Sequence, residues 1–296
     1  MAPQIPVPLA RLIVRRTLRP VLTPRVPVGV QRRLLGGVAV TVLAPREAHI
    51  ATTTLGGRPC EVVTMPGVAA DRVVLYLHGG GYTVASPRTH RALAAHLAAT
   101  SGATVYALDY RLAPEHPHPA ALDDAVAAYR ELLGANPSSL TVAGDSAGGG
   151  LALALALRLA EEGLPAPGAL GLISPWVDLS LDGVRDSDDD PLLTRDWLAW
   201  CARAYAGDAV DSPAVSPLLA DAAALGALPP TLVQAAEHEI LRADVERLVE
   251  RLEAAGAPVT YRLLDDVWHV VHLQAGMLEP ATRAVAQVGD FLRRHG

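Results

Sequence analysis

The chain has 296 residues, half of them hydrophobic, with 25 basic residues against 31 acidic ones and a formal net charge of −6. That length can bury a sizeable core, as one large α/β domain or two smaller ones, and the apolar content excludes disorder for the bulk of the chain. The acidic balance argues against nucleic acid as a partner. Every basic residue is Arg, which reads as coding bias before chemistry, and Cys60 and Cys201 make no disulfide framework, so a reducing, cytoplasmic compartment is expected.

The N-terminal segment carries eight Arg by residue 46 and no acid before Glu47. It lacks the compact basic start, long apolar centre and small-residue cleavage site of a signal peptide. Arg or Pro interrupts its apolar runs every few residues, so it cannot span a bilayer, and no stable membrane insertion is expected. Two readings stand side by side: a pair of short amphipathic helices lying on the body of the protein, or a flap that meets a membrane surface or guards a substrate.

From Cys60 onward strand-like and helix-like segments alternate. The segments CEVVTMP, RVVLYLH, TVYALDY, LTVAGD, ALGLISP, PTLVQAA and VTYRLLD are short and rich in Val, Leu, Thr or Tyr, as strands are. Between several of them lie THRALAAHLAATSG, ALDDAVAAYRELLG, GLALALALRLAEEG and ADVERLVERLEAAG, each with Gly soon after its last periodic residue, a helix stop. Such alternation predicts a mostly parallel, doubly wound α/β sheet with helices on both faces, joined by right-handed crossovers. A homodimer through an edge strand or the C-terminal helix is compatible with that layout. Residues 178–228 break the pattern with an acidic run, Pro-rich turns and a helix expected around Leu192–Tyr205, and are too long for an ordinary connection. The run Asp186–Asp190 invites a metal site, although a solvated, helix-capping loop is the commoner outcome.

Within LTVAGDSAGGGLALALALR (140–158) one hydroxyl stands at a strand-to-helix corner stripped of side chains. In open parallel sheets ligands bind beyond the carboxyl ends of the strands, where Ser146 falls. Gly144, Ser146 and Gly148 form G-x-S-x-G, whose small residues permit a tight turn that exposes the serine oxygen ahead of a helix N-terminus. A phosphate loop is the rival, but the glycines do not give G-x-G-x-x-G and a P-loop needs a Lys that the chain lacks. LYLHGGGY (75–82) supports catalysis: three glycines after a strand are not there for packing, and three bare residues in a row let backbone N–H groups approach a ligand. In this architecture the donors of an oxyanion hole are the residue after the nucleophile, Ala147, and an HGGG-type loop, here Gly80 and Gly81, with His78 and Gly79 shaping the turn.

A serine nucleophile needs a base held by an acid, in the chain order Ser, acid, His. Of ten histidines only His238, His269 and His272 follow Ser146 without being terminal, and His269 sits in a short loop after the last strand-like segment. His269 and His272 have helical spacing for a metal pair, but no third ligand cluster accompanies them, so no metal or organic cofactor is expected. The acid lies after the penultimate strand, where Glu237, Glu239 and Asp244 are the choices. Glu239 is in the loop itself, while Asp244 falls where the next helix has begun.

Five pieces of the chain, HGGGY (78–82), DYRLAPEHPHPAALDDAVAAY (109–129), GDSAGGGLA (144–152), SPWVDL (174–179) and VWHVVH (267–272), resemble the hormone-sensitive-lipase-like esterases of the α/β-hydrolase superfamily. The resemblance runs from about residue 60 to the C-terminus. It implies an α/β-hydrolase fold over 46–296, a helical cap made from the N-terminal helices of 1–45 and the insertion near 178–228, and a triad of Ser146, an acid and His269. The family's acid usually stands as Asp in D-P-L; here Glu239-Ile240-Leu241 occupies the aligned place, which selects Glu239. His118 replaces a Phe that the family tends to carry, a matter of local packing. The ending VWHVVHLQAGMLEPA is similar to the branch holding lactone and steroid- or terpene-ester hydrolases. The implied substrate is a small-molecule ester of short to medium acyl chain; a non-catalytic small-molecule-binding α/β-hydrolase and an amidase with the same triad are the competing functions.

Overall fold

The computed structural model describes residues 5–38 and 44–296. The helical segment expected over 1–45 therefore includes residues 1–4 and 39–43, which lie outside the described residues. Helices α1 (Val7–Thr17) and α2 (Val28–Val38) precede β1 (His49–Leu55), β2 (Arg58–Thr64) and β3 (Ala69–Leu77). There follow α3 (Arg91–Ser101), β4 (Ala103–Leu108), α4 (Ala120–Gly134), β5 (Ser139–Asp145), α5 (Ala147–Glu161) and β6 (Leu170–Ile173). The chain then runs through α6 (Arg195–Ala206), α7 (Ala222–Gly226), β7 (Thr231–His238), α8 (Arg242–Ala254), β8 (Val259–Trp268) and α9 (Glu279–His295).

The strands form one eight-stranded sheet in the order β1-β2-β4-β3-β5-β6-β7-β8. Only the β1–β2 and β2–β4 pairings are antiparallel; the rest are parallel. Parallel strands joined by helical crossovers are covered on both faces, so their residues are apolar on both faces. In β3, Leu75 and Leu77 pack into the layer of α4, α5 and α8, while Val74 and Tyr76 pack into the layer of α3 and α9. The sequence pattern does not reveal β1: His49–Leu55 is an edge strand, exposed at five of seven positions, so HIATTTL carries no apolar alternation.

The N-terminal helices lie on the body. Ala10 and Val14 of α1 are buried in a cluster with Trp268 and Val271, and Arg15 pairs with Asp188 at 3.2 Å. The fully buried Gln31 of α2 accepts from the Trp197 indole N–H on α6 at 3.0 Å and donates to the carbonyls of Thr23 and Val26. Arg32 grips Glu115 through two 2.8 Å hydrogen bonds and donates to the carbonyls of Thr83 and Ala113. No helix among the described residues is long and apolar enough to cross a membrane.

Candidate active site

Ser146 stands between β5 and α5 with φ 52° and ψ −122°, a left-handed conformation that is strained for a residue with a side chain. The surroundings hold it there: its N–H donates to the carbonyl of Ile173 at 2.8 Å, and its own carbonyl accepts from the N–H groups of Trp176 and Gly150. A Cβ on Gly148 would run into the carbonyl oxygen of Leu77, and one on Gly144 into that of Gly148. The corner is bare because β3 and the first turn of α5 pass at van der Waals distance. That leaves Asp145 and Ser146 as its two polar side chains, and both line the cavity described below.

The glycine-rich loop after β3 meets this corner from the side. Packing excludes a side chain at all three of its glycines after all, Gly80 because a Cβ there would run into the Val84 carbonyl. A Cβ on Gly79 would meet the Asp145 carboxylate, and one on Gly81 would sit 2.8 Å from the Cys201 sulfur and 3.0 Å from the Trp197 ring on α6. Gly80, at φ 113°, takes a conformation that other residues rarely adopt. Among the described residues none accepts a hydrogen bond from the N–H groups of Gly80, Gly81 or Ala147. Buried backbone donors are nearly always paired, so such free ones stand out, and Gly80 lines the same cavity as Ser146. His78 is buried, stacked on Tyr110 with ring centroids 4.3 Å apart, and its Nδ1 lies 2.8 Å from the Gly79 carbonyl.

Beneath that loop lies a network that sequence reasoning missed. Asp145, fully buried, accepts from the Tyr76 hydroxyl at 2.6 Å and from the Gly79 N–H at 2.9 Å, and its second oxygen is 3.3 Å from His90 Nε2. Burial pushes the Asp145 carboxyl up, but the His90 charge and these donors outweigh it and hold its pKa at about 2. The signal available in the sequence was Asp145 itself, an acid placed inside a run of otherwise small or apolar residues.

The structure joins three of the expected residues in one row. His269 Nε2 lies 2.9 Å from Ser146 Oγ, and its Nδ1 lies 2.8 Å from Glu239 Oε2. Glu239 Oε1 accepts from the Ala236 N–H at 3.1 Å, so the carboxylate is fixed at both ends. All three residues are buried. Burial disfavours the imidazolium of His269, but the Glu239 hydrogen bond and charge, with Asp190 and Asp145 behind them, prevail and raise its pKa above 6.5.

The other choices fall elsewhere. Glu237 is exposed and accepts from the Asp266 N–H. Asp244 is buried on α8 beside Arg247 at 2.9 Å. His272 turns away, its Nε2 donating to the Gln234 side-chain oxygen at 2.7 Å, so it forms no metal pair with His269; burial lowers its pKa to about 3. His118 packs edge-on against Tyr205, as local packing requires.

A cavity of about 140 Å³ opens onto Ser146 and His269. Its walls include Leu18, Leu22 and Leu35 from the N-terminal segment and Leu192, Leu193 and Trp197 from the 178–228 segment. Among the aromatic residues in or beside that segment, Trp197 faces the cavity, while Trp176 and Tyr205 are core, Tyr205 stacked on Tyr82 with ring centroids 3.8 Å apart. The acidic run divides: Asp186 accepts from the Arg195 N–H at the start of α6 and Asp188 is exposed beside Arg15, as a solvated capping loop would be, but Asp190 is fully buried.

Residues 74–273 match the model of the α/β-hydrolase fold family. The chain belongs to that family. An acetyl-hydrolase of Streptomyces hygroscopicus is 40% identical over 273 residues, covering 87% of this chain and 90% of the relative. The crystal structure of an esterase from the bacterial hormone-sensitive lipase family superposes with a TM-score of 0.91 at 36% identity, covering 100% of this chain and 99% of that one. A crystal structure of EstE5 soaked with p-nitrophenyl butyrate superposes at 0.90, also with 36% identity and with 98% of each chain covered. Within the family the chain is a hormone-sensitive-lipase-like member, an enzyme of the carboxylesterase and lipase-like serine hydrolase class.

Proposed function

We propose that the protein hydrolyses carboxylic esters of short to medium acyl chain, lactones included, through a Ser146–His269–Glu239 triad and an acyl-enzyme intermediate. The observation that carries this reading is the unbroken row from Glu239 through His269 to Ser146. Glu239 accepts the Nδ1 proton of His269, which leaves Nε2 as the acceptor for the Ser146 hydroxyl. As Ser146 Oγ attacks the ester carbonyl, its proton passes to Nε2, and the charge gathering on the carbonyl oxygen meets the N–H groups of Gly80, Gly81 and Ala147. Collapse breaks the bond to the alcohol, which leaves with the proton from Nε2. A water molecule then gives its proton to His269, attacks the acyl-enzyme and releases the acid. Each oxyanion donor is worth about 2.7–4 kcal/mol of barrier.

The small apolar cavity favours short acyl chains, and the relative named an acetyl-hydrolase supports the same end of the range. In this reading α1, α2 and the 178–228 segment act together as the cap, because each supplies or pins a cavity wall. The test is hydrolysis of p-nitrophenyl esters from acetate to laurate, and of simple lactones, by wild type and Ser146→Ala. Turnover should peak at short chains and fall at least about 10³-fold in Ser146→Ala. Folded wild-type protein that turns over none of these substrates, and resists labelling by a fluorophosphonate, would sink the proposal.

A further inference from the structure

Asp190 has no part in the chemistry described so far, yet it is fully buried next to it. Its Oδ1 accepts from the backbone N–H groups of Leu192 at 2.8 Å and Leu193 at 2.9 Å, and its Oδ2 from that of Ile240 at 3.1 Å. Leu192 and Leu193 form part of the cavity wall over Ser146, whereas Ile240 directly follows Glu239, which holds His269. One carboxylate therefore joins two pieces of chain 50 residues apart, one touching the substrate side of the site and one carrying the acid. We propose that Asp190 is a positioning residue that locks the Glu239 loop to the pocket wall and places a second negative charge behind His269. The proposal rests on the Ser146–His269–Glu239 reading of the site.

All three hydrogen bonds of Asp190 are donated to it, and an ionised carboxylate is acceptor-only, so the contacts select the charged form. Burial raises its carboxyl above the ordinary aspartate range, and the His269 charge and the three N–H donors offset that rise only in part. The charged and titratable groups around His269 are Glu239 from the loop after β7, Asp190 from the 178–228 segment, Asp145 from the end of β5, and His272 on its own turn. His272 stays neutral, and Asp145 is already paired with His90. That leaves Asp190 as the carboxylate behind the pair with no cationic partner of its own among the described ion pairs.

The two oxygens can be tested apart. In Asp190→Asn the amide oxygen still accepts from Leu192 and Leu193, but the NH₂ group then faces the Ile240 N–H, donor against donor. The pocket wall is kept, the acid loop is released and the charge is gone. Asp190→Ala releases both sides. The experiment measures kcat, KM and the pH profile of kcat/KM on p-nitrophenyl acetate, butyrate and octanoate, with thermal melting as the folding control.

For Asp190→Asn we expect kcat to fall about ten- to a hundred-fold, the size of effect that a misplacement of about 1 Å produces. The order of chain-length preference should stay unchanged and the acid limb of kcat/KM should move to lower pH, because His269 loses a charge that favours its imidazolium. Asp190→Ala should add a changed chain-length preference. A folded Asp190→Asn with wild-type kcat, or with reduced kcat and an unmoved acid limb, overturns the proposal, since a purely structural role gives the latter. A chain-length preference altered as much by Asn as by Ala overturns the division between the two oxygens. Should the Asn variant not fold, Asp190→Glu decides: it keeps the charge but cannot keep all three hydrogen bonds, so unchanged kcat rejects the positioning role. Failure of the underlying triad reading appears separately, as activity retained in Ser146→Ala.

Discussion

Two buried histidine–carboxylate pairs flank the Ser146 corner, and they differ in what the second ring nitrogen faces. His269 meets Glu239 at 2.8 Å through Nδ1 and turns Nε2 toward Ser146 Oγ at 2.9 Å. His90 meets Asp145 at 3.3 Å through Nε2, but its Nδ1 lies 2.8 Å from the Thr89 hydroxyl and 3.2 Å from the Ser86 carbonyl. Burial lowers and a carboxylate raises the pKa of each ring, and in both the rise prevails. Both rings are buried, both face a carboxylate and both are raised in pKa. Only the free nitrogen separates a candidate base from a brace: His269 can pass a proton to a reacting atom, while both nitrogens of His90 are spent on anchoring. The remaining contacts of Asp145, to Tyr76 and Gly79, show what is anchored, namely the first residue of the glycine-rich loop.

The same isosteric swap in both pairs gives the largest contrast. In Glu239→Gln the amide oxygen is claimed by the Ala236 N–H, so the NH₂ group faces His269 and Nδ1 must accept. The ring then carries its proton on Nε2, pointing at Ser146, the wrong tautomer for a base. A loss of about 10³–10⁴ in kcat is expected, the scale seen when a triad acid becomes an amide. In Asp145→Asn the oxygen keeps Tyr76 and Gly79, the NH₂ group donates to His90 Nε2, and His90 Nδ1–H still finds the Ser86 carbonyl. Every partner remains satisfied, so kcat should stay within about ten-fold of wild type. Parallel kcat measurements on the two variants test this, and equal losses would erase the distinction between base and brace.

A second contrast separates stability from turnover. His90→Ala leaves Asp145 as a buried charge without its cation, which costs about 3–5 kcal/mol of stability in such pairs. Chemical denaturation should register that loss, while kcat per folded molecule falls less than about ten-fold. A large kcat loss with unchanged stability would instead place His90 in the chemistry.

How much of this was legible in the sequence follows from which interactions are local. The Ser146 corner and the glycine-rich loop were readable because steric exclusion leaves glycine at fixed offsets, and His269 followed from chain order. Loop position left Glu237, Glu239 and Asp244 open, and Glu239 was selected by the resemblance of Glu239-Ile240-Leu241 to the family's D-P-L. The long-range network was not readable. Nothing in THRALAAHLAATSG marks His90 as the partner of an acid 55 positions away, and nothing in DSDDD distinguishes the buried Asp190 from its solvated neighbours. Those roles depend on which residue of a polar run the tertiary fold turns inward. Likewise β1 escaped because an exposed edge strand carries no apolar signature.

The smallest expected effects lie in pH dependence, and their signs follow from the pairing. Asp145 is held at about 2 against an ordinary 3.8, so its contribution to stability is present above 3.8 and lost as pH falls toward 2. His90 is raised above 6.5, so its contribution is present below 6.5 and lost as pH rises through the folded value. The stability advantage of wild type over Asp145→Asn should therefore be greatest between about pH 4 and 6.5 and shrink on either side. His78 and His272, pulled down by burial to about 3, weaken both proteins together as pH drops below 6.5 and leave the difference largely intact. In catalysis the proposed base must be neutral, so the acid limb of wild-type kcat/KM should lie above 6.5. Asp145 reaches His269 through charge alone and last among its influences, so Asp145→Asn should move that limb down only slightly. A wild-type limb below 6.5, or one that rises in Asp145→Asn, would contradict the arrangement, because removing a negative charge can only make an imidazolium easier to deprotonate.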